Sequence, residues 1–78
     1  MPDYKNYIVS DHKILLGKPV IKGTRLSVEF ILKKLSEGAT IQKLSESYSI
    51  EIEKIYAALN YASERLADRE DFIKQIKA

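Results

Sequence analysis

The hydrophobic pattern changes its period near Ser27, and this change constrains the fold more than any other feature of the sequence. Before it, apolar residues come in three short bursts, which are Tyr7-Ile8-Val9, Ile14-Leu15-Leu16 and Val20-Ile21. Polar residues, glycine and proline separate these bursts, as they do between short β-strands. After it, apolar residues recur every three or four positions, as on one face of an α-helix. The sequence therefore predicts a short N-terminal β-hairpin or strand pair followed by helices.

Three helices are predicted from capping residues and apolar stripes. Ser27 is placed to cap the first helix and Gly38 to end it in a left-handed conformation. Thr40 is placed to cap a shorter second helix, and the third begins near Glu51. The stripes are Val28, Ile31, Leu32 and Leu35, then Ile41, Leu44 and Tyr48, and then Ile52, Ile55, Tyr56, Leu59 and Ala62. The predicted fold class is mainly α, a helix-turn-helix bundle of homeodomain-like or winged-helix-like type with a C-terminal helical extension.

The last third of the chain allows two interpretations. Apolar residues seven positions apart form one series, and a companion series is offset by three, as in a coiled-coil seam. The two series are Ile52, Leu59, Leu66 and Ile73, and Ile55, Ala62, Arg69 and Ile76. A continuous helix over 52–77 would be about 39 Å long and would extend beyond a domain of this size. Alternatively, Asp68 caps a short new helix that folds back onto the core.

The chain is too short to bury a large core. Its 78 residues form a single domain, 1–78, which buries only about 60% of the surface of the unfolded chain. The absence of cysteine excludes stabilisation by disulfides, so we expect self-association as a homodimer to stabilise the fold. It also favours a reducing cytoplasm as the location. No apolar run is long enough for a membrane. The predicted partner-binding residues are Phe30, Tyr61, Leu66, Phe72, Ile73 and Ile76.

Positive charge concentrates in the first half of a chain whose net charge is +2. The candidate phosphate-binding residues for operator DNA are Lys18, Lys22, Arg25, Lys33, Lys34 and Lys54. The alternative for Arg25, which we favour, is that it braces carboxylates or carbonyls of the fold. Glu51 and Glu53 begin the third helix, where acids are better explained as partners of the helix dipole than as readers of bases.

No set of residues indicates catalysis. His12 is the single imidazole and lies in a polar turn, and the chain has no cysteine to complete a transition-metal site. None of the serines has the sequence context of a nucleophile. We therefore expect a protein that is not an enzyme and that has no metal and no cofactor.

One stretch of the chain resembles a known family. After Ile8 and Asp11 comes the run Gly17-Lys18-Pro19-Val20-Ile21-Lys22-Gly23-Thr24-Arg25-Leu26-Ser27-Val28. With the helices that follow, this run resembles the small bacterial domain-of-unknown-function family 433. The resemblance covers roughly residues 7–63 and leaves 64–78 as a C-terminal helical extension. It implies a homeodomain-like or winged helix-turn-helix fold and an antitoxin encoded beside a small PIN-like nuclease.

Two functions follow as expectations. The first is an antitoxin-type regulatory protein that binds and neutralises a PIN-like nuclease toxin from an adjacent gene and also autoregulates its operon. In this hypothesis the C-terminal segment covers the nuclease. The alternative is that this segment completes the core of the monomer or dimer. The second function is a stand-alone helix-turn-helix transcriptional regulator that binds operator DNA.

Overall fold

The computed structural model describes the backbone of residues 6–77 and the side chains of residues 6–67. The elements are β1 (Ile8–Val9), β2 (Val20–Ile21), α1 (Val28–Ser36), α2 (Ile41–Tyr48) and α3 (Ile52–Lys77). The two strands pair antiparallel, with Ile8 opposite Ile21 and Val9 opposite Val20. The predicted class, mainly α with an N-terminal strand pair, is confirmed.

The segment from Pro19 to Val28 folds back on itself and ties β2 to the start of α1. The amide of Ile21 donates to the carbonyl of Leu26 at 2.9 Å, and the amide of Val28 donates to the carbonyl of Pro19 at 2.9 Å. The Thr24 hydroxyl donates to the Ile21 carbonyl at 2.7 Å and accepts from the Leu26 amide at 3.0 Å. Both residues of β2 are fully buried. Thr24 therefore has a structural role in joining the sheet to the helices.

The predicted helix boundaries are confirmed at both ends of α1 and at the start of α2. The hydroxyls of Ser27 and Thr40 each accept a bond from the backbone amide three residues later, at 2.9 and 3.0 Å. Gly38 has a φ of +102° and its amide donates to the Leu35 carbonyl at 3.1 Å. These side-chain and backbone partners satisfy groups that a bare helix end leaves unpaired.

A serine occupies the left-handed position in the turn between α2 and α3. Ser49 has φ 55° and ψ 46°. The amide of Ile50 donates to the Ser45 carbonyl at 3.0 Å, and the Ser45 hydroxyl donates back to the Ile50 carbonyl. Ile50 is buried. The turn is thus closed by two hydrogen bonds and an apolar anchor.

The core lies where the strand pair and all three helices meet. Its buried hydrophobic residues are Ile8, Val20, Ile21, Val28, Ile31, Leu44, Ile50, Ile55, Ala57 and Ala58. The stripe predicted for α3 is partly wrong, because Ile52 and Tyr56 are exposed. Ala57 and Ala58 face the core instead, and their small side chains let the neighbouring helices approach closely. In α1, Leu32 is also exposed, although the stripe predicted it to be buried.

The backbone decides two points that the sequence pattern leaves open. The burst Ile14–Leu16 is not a strand, because β1 pairs directly with β2 and the burst forms the connection between them. The hypothesis of a break at Asp68 is wrong, because α3 runs without interruption to Lys77. The radius of gyration is 13.7 Å. A compact chain of this length would measure about 11.5 Å, and the long α3 accounts for the excess.

Candidate protein-interaction grooves

A left-handed turn presents two leucines to solvent. Leu15, Leu16 and Gly17 have φ values of 48°, 57° and 86°. The turn is closed by bonds from the Gly17 amide to the Ile14 carbonyl at 3.0 Å and from the Lys18 amide to the Leu15 carbonyl at 3.2 Å. A left-handed conformation costs a residue other than glycine roughly 1–2 kcal/mol. Leu16 nevertheless remains 85% exposed, so burial within the chain does not offset this conformational cost.

The turn forms one wall of an apolar groove against the first half of α1. The groove measures about 730 Å³, and we call it the turn groove. Its lining residues are Leu15, Leu16, Lys18, Ser27, Glu29, Phe30 and Lys33. The Lys18 ammonium bonds the exposed Glu29 carboxylate at 3.4 Å. Lys33 forms no ion pair among the described residues, so the rim carries an excess of positive charge.

A second apolar groove runs between α1 and the middle of α3. It measures about 410 Å³, and we call it the α3 groove. Its lining residues are Leu32, Leu59, Ala62, Ser63, Leu66 and Ala67. A narrower cleft of about 250 Å³ lies between the two grooves and shares Lys18, Ser27 and Glu29 with one and Leu32 and Ala62 with the other. One continuous trough therefore crosses this side of the molecule.

The predicted partner-binding residues have different surroundings. Phe30 is half-buried, meets the Tyr48 ring edge-on at 5.5 Å and contributes to the turn groove. Tyr61 is half-buried, with the Arg65 guanidinium 4.9 Å from its ring centre. Leu66 is 59% exposed and lines the α3 groove. The predictions for Phe72, Ile73 and Ile76 lie outside the described side chains.

Three of the predicted phosphate-binding lysines are paired with carboxylates. Lys18 pairs with Glu29, Lys34 with Glu37 at 3.7 Å and Lys54 with Glu51 at 3.6 Å. Lys34 also lies 5.4 Å from the centre of the Phe30 ring. The carboxylates of these pairs are exposed, so the pairs are weak, but they lower the positive charge that each lysine offers to a phosphate.

The other three predicted phosphate-binding residues have no carboxylate partner among the described residues. Lys22, Arg25 and Lys33 are exposed and form no ion pair among the described residues. The bracing contact that we favoured for Arg25 is therefore absent from this part of the structure. Lys22 and Arg25 both lie in the loop between β2 and α1, whereas Lys33 lies on α1.

The first turns of α3 present an apolar and acidic surface. Ile52 and Tyr56 are 43% and 41% exposed, and Glu51 and Glu53 are exposed beside them. In a helix-turn-helix module, this end of the helix contacts bases and phosphates. Carboxylates at this position disfavour contact with a polyanion.

The described residues do not form a metal site or a membrane-spanning helix. No group of three or more His, Cys, Asp or Glu side chains there is placed to hold a metal ion. His12 is exposed. No helix within residues 6–77 has the combination of length and apolar character that a membrane span requires.

Comparison with known proteins identifies the family. The model of the family described as "Protein of unknown function (DUF433)" matches residues 8–62, which is more than two thirds of the chain. The chain belongs to the DUF433 family. The match begins at β1 and ends at Ala62, so the DUF433 region comprises the sheet, α1, α2 and the packed part of α3. No curated protein and no solved structure matches the chain.

Sequence reasoning missed the residues that form most of the two grooves. The sequence pattern groups Leu15 and Leu16 with the short β-prone bursts and places Leu32 in the apolar stripe of the first helix. A signal was present for the leucines, because the burst that contains them ends at Gly17 and has no alternating polar residues. Such a burst is as compatible with an exposed apolar turn as with a strand.

Proposed function

We propose that this chain is an antitoxin-type interaction protein that binds and neutralises a small PIN-like nuclease encoded by an adjacent gene. The turn groove is the surface that contacts the nuclease. The observation that carries the proposal is Leu16, a large apolar side chain held 85% exposed by a strained backbone at the edge of an apolar groove. Strain of this kind concentrates at binding sites, where a partner makes use of the imposed geometry.

The charge at the rim agrees with such a partner. Nucleases that use divalent cations bind them with clustered carboxylates, so the surface around their active sites is acidic. Lys18 and Lys33 lie on the rim of the turn groove, with only Glu29 of opposite sign. Lys22 and Arg25 add unpaired positive charge in the loop that precedes α1. An apolar anchor with a basic rim suits a nuclease surface that is apolar and acidic.

The test replaces Leu16 with glycine. Leu16→Gly removes the anchor and relieves the left-handed strain, so the fold should keep its stability or gain some. We expect affinity for the product of the adjacent gene to fall by about 2 kcal/mol, or about 30-fold, as for the loss of an interface anchor. Co-expression followed by size-exclusion chromatography with light scattering detects the complex, and titration calorimetry measures its affinity.

The matched control is Ile52→Gln, which removes another exposed aliphatic side chain that lines neither groove. It should bind like the unaltered chain. Equal binding by the Leu16→Gly variant, or no complex with the unaltered chain, would contradict the proposal.

The second candidate function is a stand-alone helix-turn-helix regulator that binds operator DNA. The observation in its favour is that Lys22, Arg25 and Lys33 are exposed and unpaired among the described residues. The double variant Lys22→Ala/Arg25→Ala should weaken binding to its own promoter fragment and lower the slope of log affinity against log salt by about 2. A flat salt response in the unaltered chain argues against this function. Both functions are compatible with autoregulation by one protein.

A further inference from the structure

The middle of α3 leaves the core. Among the described side chains of this helix, Ala62 is the last that packs against the core, and those of 63–67 are all exposed. The helix nevertheless continues to Lys77, which adds roughly 22 Å at 1.5 Å per residue. An isolated helical segment of this length is marginal in water, so a surface that packs on the exposed face of 63–67 would stabilise it.

The α3 groove has the shape to receive such a helix. Three of its lining residues are small, namely Ala62, Ser63 and Ala67, and Leu59 and Leu66 also line it. Small residues allow helix axes to approach within about 8 Å. Leu66 is 59% exposed and so is available for contact with a partner.

We propose that the occupant of the α3 groove is the α3 helix of a second copy, packed antiparallel about a two-fold axis near Leu66. In this arrangement position 73 of one copy lies level with position 59 of the other, because both are seven residues from Leu66. The sequence places leucine at 59 and 66 and isoleucine at 73. Apolar residues repeated every seven positions form the seam of paired helices. Each copy supplies both the groove and the helix, which makes the interface self-complementary.

The charges at the two ends of α3 select the antiparallel orientation. Glu51 and Glu53 lie at the start of the helix, and Lys74 and Lys77 lie in its last turns. Antiparallel packing brings the acidic start of one helix beside the basic end of the other and opposes the helix dipoles favourably. Parallel packing brings like charges together at both ends. A second copy therefore complements α3 in shape, apolar register and charge.

This interface does not rest on the proposed nuclease-binding function. The turn groove lies at the other end of the trough, so a dimer built on α3 leaves Leu16 exposed on both copies. The failure of one proposal therefore leaves the other standing.

The first test uses charge at the two-fold axis. Sedimentation equilibrium of the full chain should show a dimer, and Leu66→Glu should weaken dimerisation about 100-fold or more, because two like charges then meet in an apolar contact. Leu66→Lys should do the same, whereas an equimolar mixture of the two variants should form a heterodimer. Leu16→Glu is the matched control and should dimerise like the unaltered chain. A monomeric unaltered chain, or a Leu66→Glu variant that dimerises normally, would overturn the proposal.

The second test establishes orientation through single cysteines, which the natural sequence lacks. Positions 63 and 69 lie three residues on either side of Leu66. Ser63→Cys mixed with Arg69→Cys should therefore give a mixed disulfide as the main oxidation product. Predominant pairing of position 63 with itself and of 69 with itself would exclude the antiparallel arrangement.

Discussion

Ser49 and Gly38 both lie in the left-handed region, and opposite substitutions at the two positions should change stability in opposite directions. Ser49→Gly should raise the free energy of unfolding by about 0.5–1 kcal/mol, because glycine adopts φ 55° without steric cost. Gly38→Ala should lower it by about 1 kcal/mol. No heavy atom lies within 4 Å of an added Cβ at Gly38, so this loss would reflect backbone conformation alone. Urea denaturation measures both, and equal signs would contradict the assigned conformations.

The side chain of Ser27 is a buried helix cap, and its removal should have a measurable cost. Its hydroxyl accepts the Phe30 amide at 2.9 Å at the start of α1. Ser27→Ala should lower the free energy of unfolding by about 1–2 kcal/mol in thermal or urea denaturation. Ser47→Ala, on the exposed face of α2, is the control and should change stability by less than about 0.5 kcal/mol. An unchanged midpoint for Ser27→Ala would show that the cap contributes nothing.

At the scale of elements, the part of α3 that packs against the core and its distal part after Ala62 should differ in protection from hydrogen exchange. Amides near Ile55 belong to the core and should exchange only on global unfolding. Amides of 67–77 should be protected only at concentrations where the chain dimerises. Mass spectrometry of exchange in the unaltered chain and in Leu66→Glu measures this difference. Equal protection of the distal part in both proteins would mean that dimerisation does not stabilise it.

How far sequence predicts these elements depends on what fixes each one. Ser27, Thr40 and Gly38 act within one turn of their own backbone, so local sequence was sufficient to predict them. The rotation of α3 was not predictable, because Ile52 is more hydrophobic than Ala57 but is placed where no other element covers it. The left-handed Leu15–Gly17 turn also opposed local preference, since its conformation follows from closing the connection between β1 and β2.

At the scale of the molecule, stability and association should be coupled. A domain of this size has a small margin of stability, and dimerisation adds to it by mass action. The melting temperature of the unaltered chain should therefore rise with protein concentration, while that of Leu66→Glu should remain constant. Scanning calorimetry over a wide concentration range measures the two slopes. A constant melting temperature in the unaltered chain would mean that folding and association are independent.

The same small margin makes the core sensitive to single changes. Ile55 is fully buried where α3 meets the rest of the core. Ile55→Ala should cost about 2–5 kcal/mol, a large part of the stability of such a domain, whereas Ile55→Val should cost about 1 kcal/mol. Circular dichroism should show the alanine variant substantially unfolded at ambient temperature. A folded alanine variant with an unshifted midpoint would argue against this core.

The connection between β1 and β2 has its two ends fastened by strand pairing, while its tip contributes no residue to the core. Between Asp11 and Gly17 the sequence can thus diverge with little penalty to folding. Members of one family can share the same scaffold and recognise different partners through this tip alone. Exchange of residues 12–16 between two such members should transfer the choice of partner.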